Sequence, residues 1–481
     1  MRLFPEKSSW PTGKITAMPR QTPALKLLAL FAASVLCSLF ETKAYAAGES
    51  PRSPNVIVVM ADDFGFECVG ANGGESYKTP HLDRLAAEGV RFEHCYVQPL
   101  CTPTRLQLMT GLYNVRNYVN FGTLPRGETT FAHLFQNAGY KTGICGKWQL
   151  GSEKDSPQHF GFDEAYLWQH TRRPPRYANA GLERNGVEED FTRGEYGPDL
   201  INDFALDFVA RHCNESFLLY YPMMLTHDPF QPTPDSDDYD PKAIGENVNR
   251  NVRHFAEMTE YMDKLIGKLV ARLDELKIRD NTLVVFLGDN GTSPSVTSKF
   301  RGGAYRGGKG QTTARGMHVP LIVNYPSGAA SGKVCDDLIA SVDILPTICA
   351  AAGIPLSAEM KTDGVSFWPQ VCGKLGTPRE TYYCWYARDG GQAAEFAMSK
   401  THKLYADGRF FDLTADPYEE RPGQASALTE AEAEAAGRLQ AVLDQYDDAR
   451  PTALRAGAKP AKPKKPGAAK KAGKQKAAAK S

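Results

Sequence analysis

Polar residues follow several continuous apolar runs of this chain, and their types suit metal chemistry. The run NVIVVM leads into Asp62 and Asp63, and the run TLVVFLG leads into Asp289 and Asn290. These four residues offer only oxygen donors, a set typical of a hard divalent cation, and of calcium more than of magnesium. A bound cation is also the simplest way to keep three neighbouring carboxylates ionised.

Five further residues supply a nucleophile position, positive charges and a proton donor. Arginine binds an oxyanion through a planar fork, and lysine binds it as a point charge. Such a pocket favours transfer of a sulfuryl or phosphoryl group, stabilised mainly by positioned positive charge. The five residues are Cys101, Arg105, Lys147, His227 and Lys309.

Cys101 is unusual because the chain carries an export signal, and a free thiol oxidises or pairs outside the cytosol. From its type alone, Cys101 could be a disulfide half, a metal ligand or a residue that does not remain a cysteine. Of the ten cysteines, Cys37 leaves with the predicted signal, and the remaining nine are an odd number. At least one cysteine is therefore predicted to be unpaired within a monomer.

The elements that must position these residues alternate between strands and helices. Four continuous apolar runs, NVIVVM, TGIC, FLLYYPMM and TLVVFLG, are typical of buried parallel strands. Helical spacing appears over residues 79–89, 128–140 and 253–278. This alternation predicts an α/β fold around a large, mostly parallel sheet, with the ligand crevice at the carboxyl ends of its strands.

Composition and the pattern of apolar residues divide the chain into four parts. Residues 1–46 read as a signal peptide, with translation starting at Met1 or at Met18, and residues 47–375 as the main α/β domain. Short alternating segments predict a smaller C-terminal antiparallel-sheet subdomain at 376–449, closed by a helix near 428–447. Residues 450–481, rich in Lys, Ala and Pro, predict a disordered tail.

Charge and hydropathy limit the partners of the protein. Between the signal and the lysine-rich tail, residues 47–455 hold 41 basic and 54 acidic residues, so no nucleic-acid-binding core is indicated. The 14-residue apolar stretch at 27–40 is short for a membrane span and precedes a small-residue cleavage site, AYA. We therefore expect a periplasmic or secreted protein without stable membrane insertion. The nine tail lysines predict contact with polyanions, the alternative being a solubilising or incidental tail.

Two segments resemble the signatures of the sulfatase family, the formylglycine-dependent, arylsulfatase-like branch of the alkaline-phosphatase-like superfamily. They are CTPTRLQLMTG at 101–111 and GYKTGICGKWQLG at 139–151, and the resemblance extends from about Asn55 to the stretch DLTADPYEE at 412–420. The resemblance implies a calcium-dependent sulfuric ester hydrolase that acts on an aryl sulfate or a sulfated carbohydrate. It also implies the sulfatase-like α/β fold.

The resemblance implies that Cys101 is modified after translation. In such sulfatases a separate formylglycine-generating, or sulfatase-maturating, enzyme oxidises this cysteine in the unfolded chain, and Pro103 and Arg105 match its recognition elements. The aldehyde hydrates to a diol; one hydroxyl attacks sulfur, and the other loses its proton so that collapse to the aldehyde ejects sulfate. The family calcium ligands are matched, beside the modified residue 101, by Asp62, Asp63, Asp289 and Asn290.

The remaining roles follow from the resemblance residue by residue. Lys147 and Lys309 match the sulfate-binding lysines, His227 the residue beside the leaving oxygen, and Arg105 the residue that holds the diol. Gln149 departs from the family, because many relatives have a histidine there. Glutamine can hydrogen-bond the diol but cannot shuttle a proton near neutral pH.

A second departure is TARGMHVP at 313–320, where relatives often have Glu-Gly-Gly-x-Arg-x-Pro. Ala314, Arg315 and His318 alter a loop near the pocket and put its usual salt bridge in doubt, which fits a different substrate. Two alternatives to sulfatase activity remain. One is a phosphonate or phosphodiester hydrolase of the same superfamily, and the other is a catalytically silent relative that binds sulfated glycans.

Overall fold

The computed structural model describes residues 52–243, 249–388, 393–423 and 428–455. A ten-stranded mixed sheet forms the centre of the fold, and a four-stranded antiparallel sheet lies near the C-terminus. The predicted fold class is thus confirmed. The strands are β1 (Asn55–Ala61), β2 (Val90–Tyr96), β3 (Lys141–Gly146), β4 (Glu164–Trp168), β5 (Gly181–Arg184), β6 (Val187–Asp190), β7 (Phe217–Pro222), β8 (Thr282–Gly288), β9 (Thr297–Phe300), β10 (Gly303–Arg306), β11 (Leu321–Asn324), β12 (Lys333–Ala340), β13 (Tyr382–Tyr386), β14 (Ala394–Met398), β15 (His402–Tyr405) and β16 (Phe410–Asp412).

The four runs predicted as parallel strands are neighbours in the large sheet. Its strand order is β12-β2-β11-β8-β1-β7-β3-β4-β5-β6, and β8, β1, β7 and β3 are mutually parallel. Every residue of β1, β7 and β8 is buried. Helices cover both faces of these strands, which explains why the runs are continuously apolar rather than alternating.

Helices pack on the two faces of the sheet over separate apolar clusters. Alternate residues of β1 contribute to opposite clusters: Val56 and Val58 to one, Ile57 and Val59 to the other. The α-helices are Pro80–Ala87, Cys101–Thr110, Asn114–Asn117, Phe131–Asn137, Ser156–His159, Gly197–Arg211, His254–Glu275, Ala314–Met317, Ile344–Ala352, Trp368–Val371, Glu430–Tyr446 and Thr452–Arg455, and 3₁₀ turns lie at Phe66–Cys68, Gly70–Asn72 and Ser341–Asp343.

The small sheet has the order β13-β14-β15-β16 and a core of its own. Helix Glu430–Tyr446 covers it through Leu439 and Leu443, and Thr429 caps this helix in a capping box with Glu432. Arg379 ties the sheet to the large one by an ion pair with Asp343. The boundary predicted at residue 375 stays a prediction.

The C-terminal boundary differs from the predicted one. Residues 450–455, assigned to the tail from composition, include the short helix Thr452–Arg455. The guanidinium of Arg450 lies 4.2 Å above the ring of Trp385 and donates to the carbonyl of Tyr118, so packing extends past residue 449. The rest of the predicted tail, and the whole predicted signal, lie outside the described residues.

Two further observations concern export and cysteine use. Among the described residues, no helix combines the length and apolarity that a membrane crossing requires. The described part of the chain holds nine cysteines, and seven of them are buried free thiols. A buried thiol behaves as a small apolar side chain, so these cysteines contribute to packing.

Candidate active site

The ten residues that the sequence predicted as metal ligands or catalytic groups lie together at one edge of the large sheet. Asp62 and Asp63 follow β1, Lys147 follows β3, and Asp289 and Asn290 follow β8. His227 lies a few residues beyond β7, and Lys309 is brought in by the segment after β10. Because these strands are parallel neighbours, their carboxyl ends meet at one place.

A single helix places Cys101 and Arg105. Cys101 is the first residue of helix Cys101–Thr110, and Arg105 follows one turn later on the same face. Pro103 is tolerated in the first turn because its missing N–H has no intrahelical partner there. Gly111 ends the helix with a left-handed φ of 68°. All ten residues of this helix are buried, which is unusual for so polar a sequence and marks it as part of the site.

Three carboxylates and three cations pair in the buried site. The Nζ of Lys147 donates to both oxygens of Asp62, at 2.6 and 2.9 Å. The guanidinium of Arg105 donates to Oδ2 of Asp289 at 2.8 Å and to the carbonyl of Lys147 at 2.9 Å. Lys309 donates to Oδ2 of Asp63 at 2.6 Å. Each pair joins one negative and one positive charge, so the three pairs together are neutral.

The donor atoms in the centre of this cluster fit a divalent cation. Oxygens of Asp62 and Asp289 and the Sγ of Cys101 all lie within 4.8 Å of one another. The Oδ1 of Asn290 is buried and has no hydrogen-bond partner in the described part of the chain, while its Nδ2 donates to Oδ1 of Asp63. An unpartnered buried oxygen beside three carboxylates is what a hard cation would satisfy.

Electrostatics also indicates a cation. Burial, aided by the charge of Asp62, raises the pKa of Asp289 to about 7. Burial would raise the pKa of Asp62 as well, but the charges of Lys147, His227 and Arg105 outweigh burial and hold it well below its usual range. A divalent ion bound beside Asp289 would lower the pKa of this carboxyl and hold it ionised.

His227 has a carboxylate on one side and a cation on the other. Its Nδ1 lies 3.1 Å from Oδ1 of Asp228, and its Nε2 lies 3.1 Å from the Nζ of Lys309 and 3.8 Å from Oδ2 of Asp63. The hydrogen bond from His227 is the largest of the influences that lower the pKa of Asp228. Asp228 thus orients the ring and leaves Nε2 facing the pocket.

The thiol of Cys101 is poorly suited to act as a nucleophile. It is 2% exposed, and its Sγ donates to Oε1 of Gln149 at 3.3 Å. Burial raises the pKa of the thiol, opposed only in part by Lys147. Gln149 adopts a positive φ of 53°, a conformation uncommon for glutamine, and this places its amide beside residue 101.

Sequence reasoning missed two residues that contact the site. Asp228 follows His227 directly in the chain, and this adjacency was the available signal. Arg176 belongs to the stretch QHTRRPPRY at 169–177, and its NH1 lies 4.0 Å from Oδ2 of Asp62. The guanidinium also stacks 4.3 Å above Trp168, so the fold alone decides which of the three arginines in that stretch turns inward.

The stretch 313–320, which differs from the usual family sequence, contains the short helix Ala314–Met317, and its side chains pack on aromatic rings. Arg315 lies 4.1 Å above the ring of Tyr418. His318 stacks on Phe66 at 4.1 Å, and burial lowers its pKa to about 4, so the ring is neutral at pH 7. These contacts belong to a neighbouring cavity rather than to the carboxylate cluster.

Comparison with known proteins agrees with this geometry. The family model described as Sulfatase matches residues 54–354, and the model described as N-sulphoglucosamine sulphohydrolase, C-terminal, matches residues 311–435. Arylsulfatase A of Bos taurus is 30% identical over 473 residues, covering 86% of this chain and 88% of its own. N-acetylgalactosamine-6-sulfatase of Homo sapiens is 29% identical and covers 74% and 72%.

Solved structures show the same architecture. The crystal structure of Ps i-CgsB in complex with k-i-k-neocarrahexaose superposes with a TM-score of 0.70 at 25% identity, covering 83% of this chain and 94% of that one. The two family models together span the large sheet and the small one, and the range of the Sulfatase model includes every residue of the carboxylate cluster. On the strength of the cluster's geometry and of these matches, the chain belongs to the sulfatase family of sulfuric ester hydrolases.

Proposed function

We propose that this protein is a calcium-dependent sulfatase that uses formylglycine, made from Cys101, to hydrolyse the sulfate ester of a phenol or a carbohydrate. One observation carries the proposal: Cys101 and Arg105 share one face of a buried helix whose N-terminal end lies against the cluster of Asp62, Asp289 and Lys147. A residue modified at that position lies among both the metal-binding oxygens and the anion-binding cations.

The oxygens of Asp62, Asp63, Asp289 and Asn290 would hold calcium, together with residue 101. The charges of the three carboxylates are already balanced by Lys147, Lys309 and Arg105. A divalent ion therefore leaves the pocket with a net charge of about +2, which an anionic sulfate ester offsets. Calcium would supply this positive charge and polarise a sulfate oxygen.

Formylglycine would supply a hydrated aldehyde that forms the sulfated enzyme and then releases sulfate without a second nucleophile. Cys101 is 2% exposed in the folded chain, so a formylglycine-generating or sulfatase-maturating enzyme would have to act before folding. The raised pKa of the buried thiol argues against direct attack by an unmodified cysteine.

The chain's other residues would bind the sulfate group and control protons. Lys147, Lys309 and Arg105 hold the sulfate oxygens and the reacting residue by charge-assisted hydrogen bonds. His227, oriented by Asp228, gives a proton to the leaving oxygen from Nε2. Gln149 accepts a hydrogen bond at residue 101 and positions it, but it does not carry a proton.

The experiment combines mass spectrometry with turnover. Protein co-expressed with a formylglycine-generating enzyme is digested, the peptide that spans residue 101 is weighed, and hydrolysis of p-nitrophenyl sulfate is measured with and without a calcium chelator. We expect the aldehyde form to be active and Cys101→Ala to be inactive. Cys349→Ala, which removes another buried thiol in helix Ile344–Ala352, is the matched control and should stay active. Full aldehyde content without turnover of any sulfate ester would support the silent, glycan-binding alternative instead.

Matched substrates separate the remaining alternative. The same aryl group is presented as a sulfate, a phosphate diester and a phosphonate, and kcat/KM is compared. Higher kcat/KM on either phosphorus ester would favour the phosphonate or phosphodiester hydrolase and refute the sulfatase proposal.

Export is part of the proposal. Cleavage after Ala46 would release a periplasmic or secreted protein, and N-terminal sequencing of the exported chain tests it by looking for Ala47. The lysine-rich tail would bind polyanions in a salt-dependent way. Loss of heparin binding at low salt on truncation after residue 455 would support that contact, and unchanged binding would exclude it.

A further inference from the structure

The segment that carries Lys309 is irregular and lies between β10 and the helix Ala314–Met317. The backbone amide of Lys309 donates to the carbonyl of Thr292, and that of Gly310 donates to the carbonyl of Pro99, each at 2.9 Å. An irregular segment keeps one shape only where its polar groups find partners on neighbouring elements. The position of the Lys309 side chain therefore depends on contacts that other parts of the chain supply.

Three side chains from the region of the small sheet hold the far end of this segment at Thr312. Lys403 and Tyr405 lie on β15, and Glu419 follows β16; we call these three residues the clamp. The Nζ of Lys403 donates to the carbonyl of Thr312 at 2.5 Å and to Oε1 of Glu419 at 2.8 Å. The main chain of Thr312 is thus bonded to the clamp.

The side chain of Thr312 is bonded to the clamp as well. The hydroxyl of Tyr405 donates its single proton to Oε2 of Glu419 at 2.6 Å. The hydroxyl of Thr312 lies 2.8 Å from that of Tyr405, so Thr312 is the donor in the bond between them. Both the carbonyl and the hydroxyl of Thr312 are therefore fixed by buried groups of a different sheet.

The composition of the clamp indicates a requirement for position rather than for stability. The side chains of Lys403 and Glu419 are only 1% and 4% exposed. A buried ion pair is often no more stabilising than apolar side chains of similar size, so its stability alone does not account for it. Glu419 also has a left-handed φ of 60°, a conformation that glutamate rarely adopts and that is typical of functional sites.

The fixed residue is close in the chain to the reaction centre. Lys309 precedes Thr312 by three positions, a separation of at most about 11 Å. The Nζ of Lys309 donates to Oδ2 of Asp63 at 2.6 Å and lies 3.1 Å from Nε2 of His227. A displacement of about 1 Å is enough to impair a reacting group, so movement of Thr312 would reach Lys309 with consequences for binding.

We infer that Lys403, Tyr405 and Glu419 are positioning residues of the reaction centre, which hold Thr312 and thereby set the position of Lys309 toward the sulfate group. The inference rests on the proposed sulfatase function, in which Lys309 binds sulfate oxygens. It gives the small sheet a part in sulfate binding, although the clamp acts only through Thr312.

The test measures the affinity for inorganic sulfate, because an inhibition constant does not depend on the fraction of active enzyme. It is determined against p-nitrophenyl sulfate on the aldehyde-containing, calcium-loaded full-length chain. Tyr405→Phe should raise the constant about fivefold, the effect of one lost hydrogen bond. Thr312→Val removes the other hydroxyl of the same bond and should have a similar effect, and combining the two changes should add little. Inhibition constants equal to that of the wild type would overturn the inference.

A tyrosine of the same sheet provides the matched control. The hydroxyl of Tyr383 on β13 also donates to a glutamate, Glu395, and Tyr383 is as buried as Tyr405. Its bond to Glu395 does not involve the segment 309–313. Tyr383→Phe should therefore leave the inhibition constant unchanged. If both tyrosine variants raise it equally, the cause is a general loosening of the small sheet and the inference is wrong.

Hydrogen exchange separates this inference from the proposed function, because it requires no turnover. Exchange of the peptide that spans residues 307–313 is followed by mass spectrometry in the wild type and in both tyrosine variants. Faster exchange at Lys309 and Gly310 in Tyr405→Phe alone would support the clamp. It would do so even if the aldehyde enzyme hydrolysed no sulfate, a result that refutes only the proposed function. Equal exchange in all three proteins would refute the clamp.

Discussion

Replacement of Asn290 by alanine provides a direct test of the cation site, independent of turnover. In the described structure the Nδ2 of Asn290 donates to Oδ1 of Asp63 and to the carbonyl of Gly291, both at 2.9 Å, and its Oδ1 is unpartnered. The chain offers a close match in Asn202. That residue is equally buried, donates to the carbonyl of Leu265 at 3.2 Å and to the hydroxyl of Tyr221 at 3.4 Å, and also carries an unpartnered Oδ1.

The two variants should behave alike without calcium and differently with it. Each loses two amide hydrogen bonds, at about 1 kcal/mol apiece, so each should lose about 2 kcal/mol of unfolding free energy in a chelator. If calcium binds as proposed, a concentration of a hundred times its Kd should stabilise the wild type by about 2.7 kcal/mol. Loss of a ligand oxygen, and of the amide that orients Asp63, should weaken calcium binding about 10–100-fold, a further loss of about 1.3–2.3 kcal/mol at that calcium concentration for Asn290→Ala alone.

The assay is urea unfolding of the purified chain over a calcium titration, with calorimetry for the Kd. For Asn202→Ala, the loss of unfolding free energy should be constant across the titration. For Asn290→Ala, the loss should grow with calcium until it exceeds that of the control. If the two losses stay equal at every calcium concentration, Asn290 is not a ligand and the argument from its unpartnered oxygen is refuted.

Three further predictions concern single side chains. Gln149→His should add an ionisation near pH 6.5 to the pH profile of kcat, because imidazole titrates there and an amide does not; an unchanged profile would contradict the position assigned to Gln149 beside residue 101. Arg379→Met should lower the free energy of unfolding in urea by about 3–5 kcal/mol, because it leaves the carboxylate of Asp343 buried and without its ion-pair partner. A variant as stable as the wild type would contradict this prediction. Burial lowers the pKa of Lys403 to about 8. Between pH 8 and 10.5 the unfolded chain therefore holds a proton that the folded chain has lost, so the unfolding free energy of the wild type should rise with pH relative to that of Lys403→Met. Parallel stability curves in that window would refute this prediction.

The sequence predicted the most buried strands of the large sheet, but not its partly buried or very short strands. The four continuous apolar runs identified β1, β3, β7 and β8, which helices cover on both faces. Strand β2, with the sequence VRFEHCY, and the four-residue β11 extend the same sheet but were not predicted. Their burial is partial or their length short, so periodicity alone does not distinguish them from loops.

Within the site, residue type and position relative to the strands were sufficient for the carboxylates and cations. Asp62, Lys147 and Asp289 each follow a strand that the sequence identified, and parallel neighbours must end at one edge. Arg176 and Asp228 had no such signal, because their orientation depends on how loops fold back over the sheet.

The sequence by itself determined the parts of this protein that local chemistry encodes: the apolar runs, the spacing of Cys101 and Arg105, and the oxygen donors at strand ends. Only the tertiary structure decided which charges pair, that the Oδ1 of Asn290 has no partner among the described residues, and that distant stretches enclose an aromatic cavity around Tyr418. The physical reason is that helical and strand periodicity act over a few residues. Pairing, burial and cavity shape depend instead on contacts between segments hundreds of residues apart, which no local pattern records.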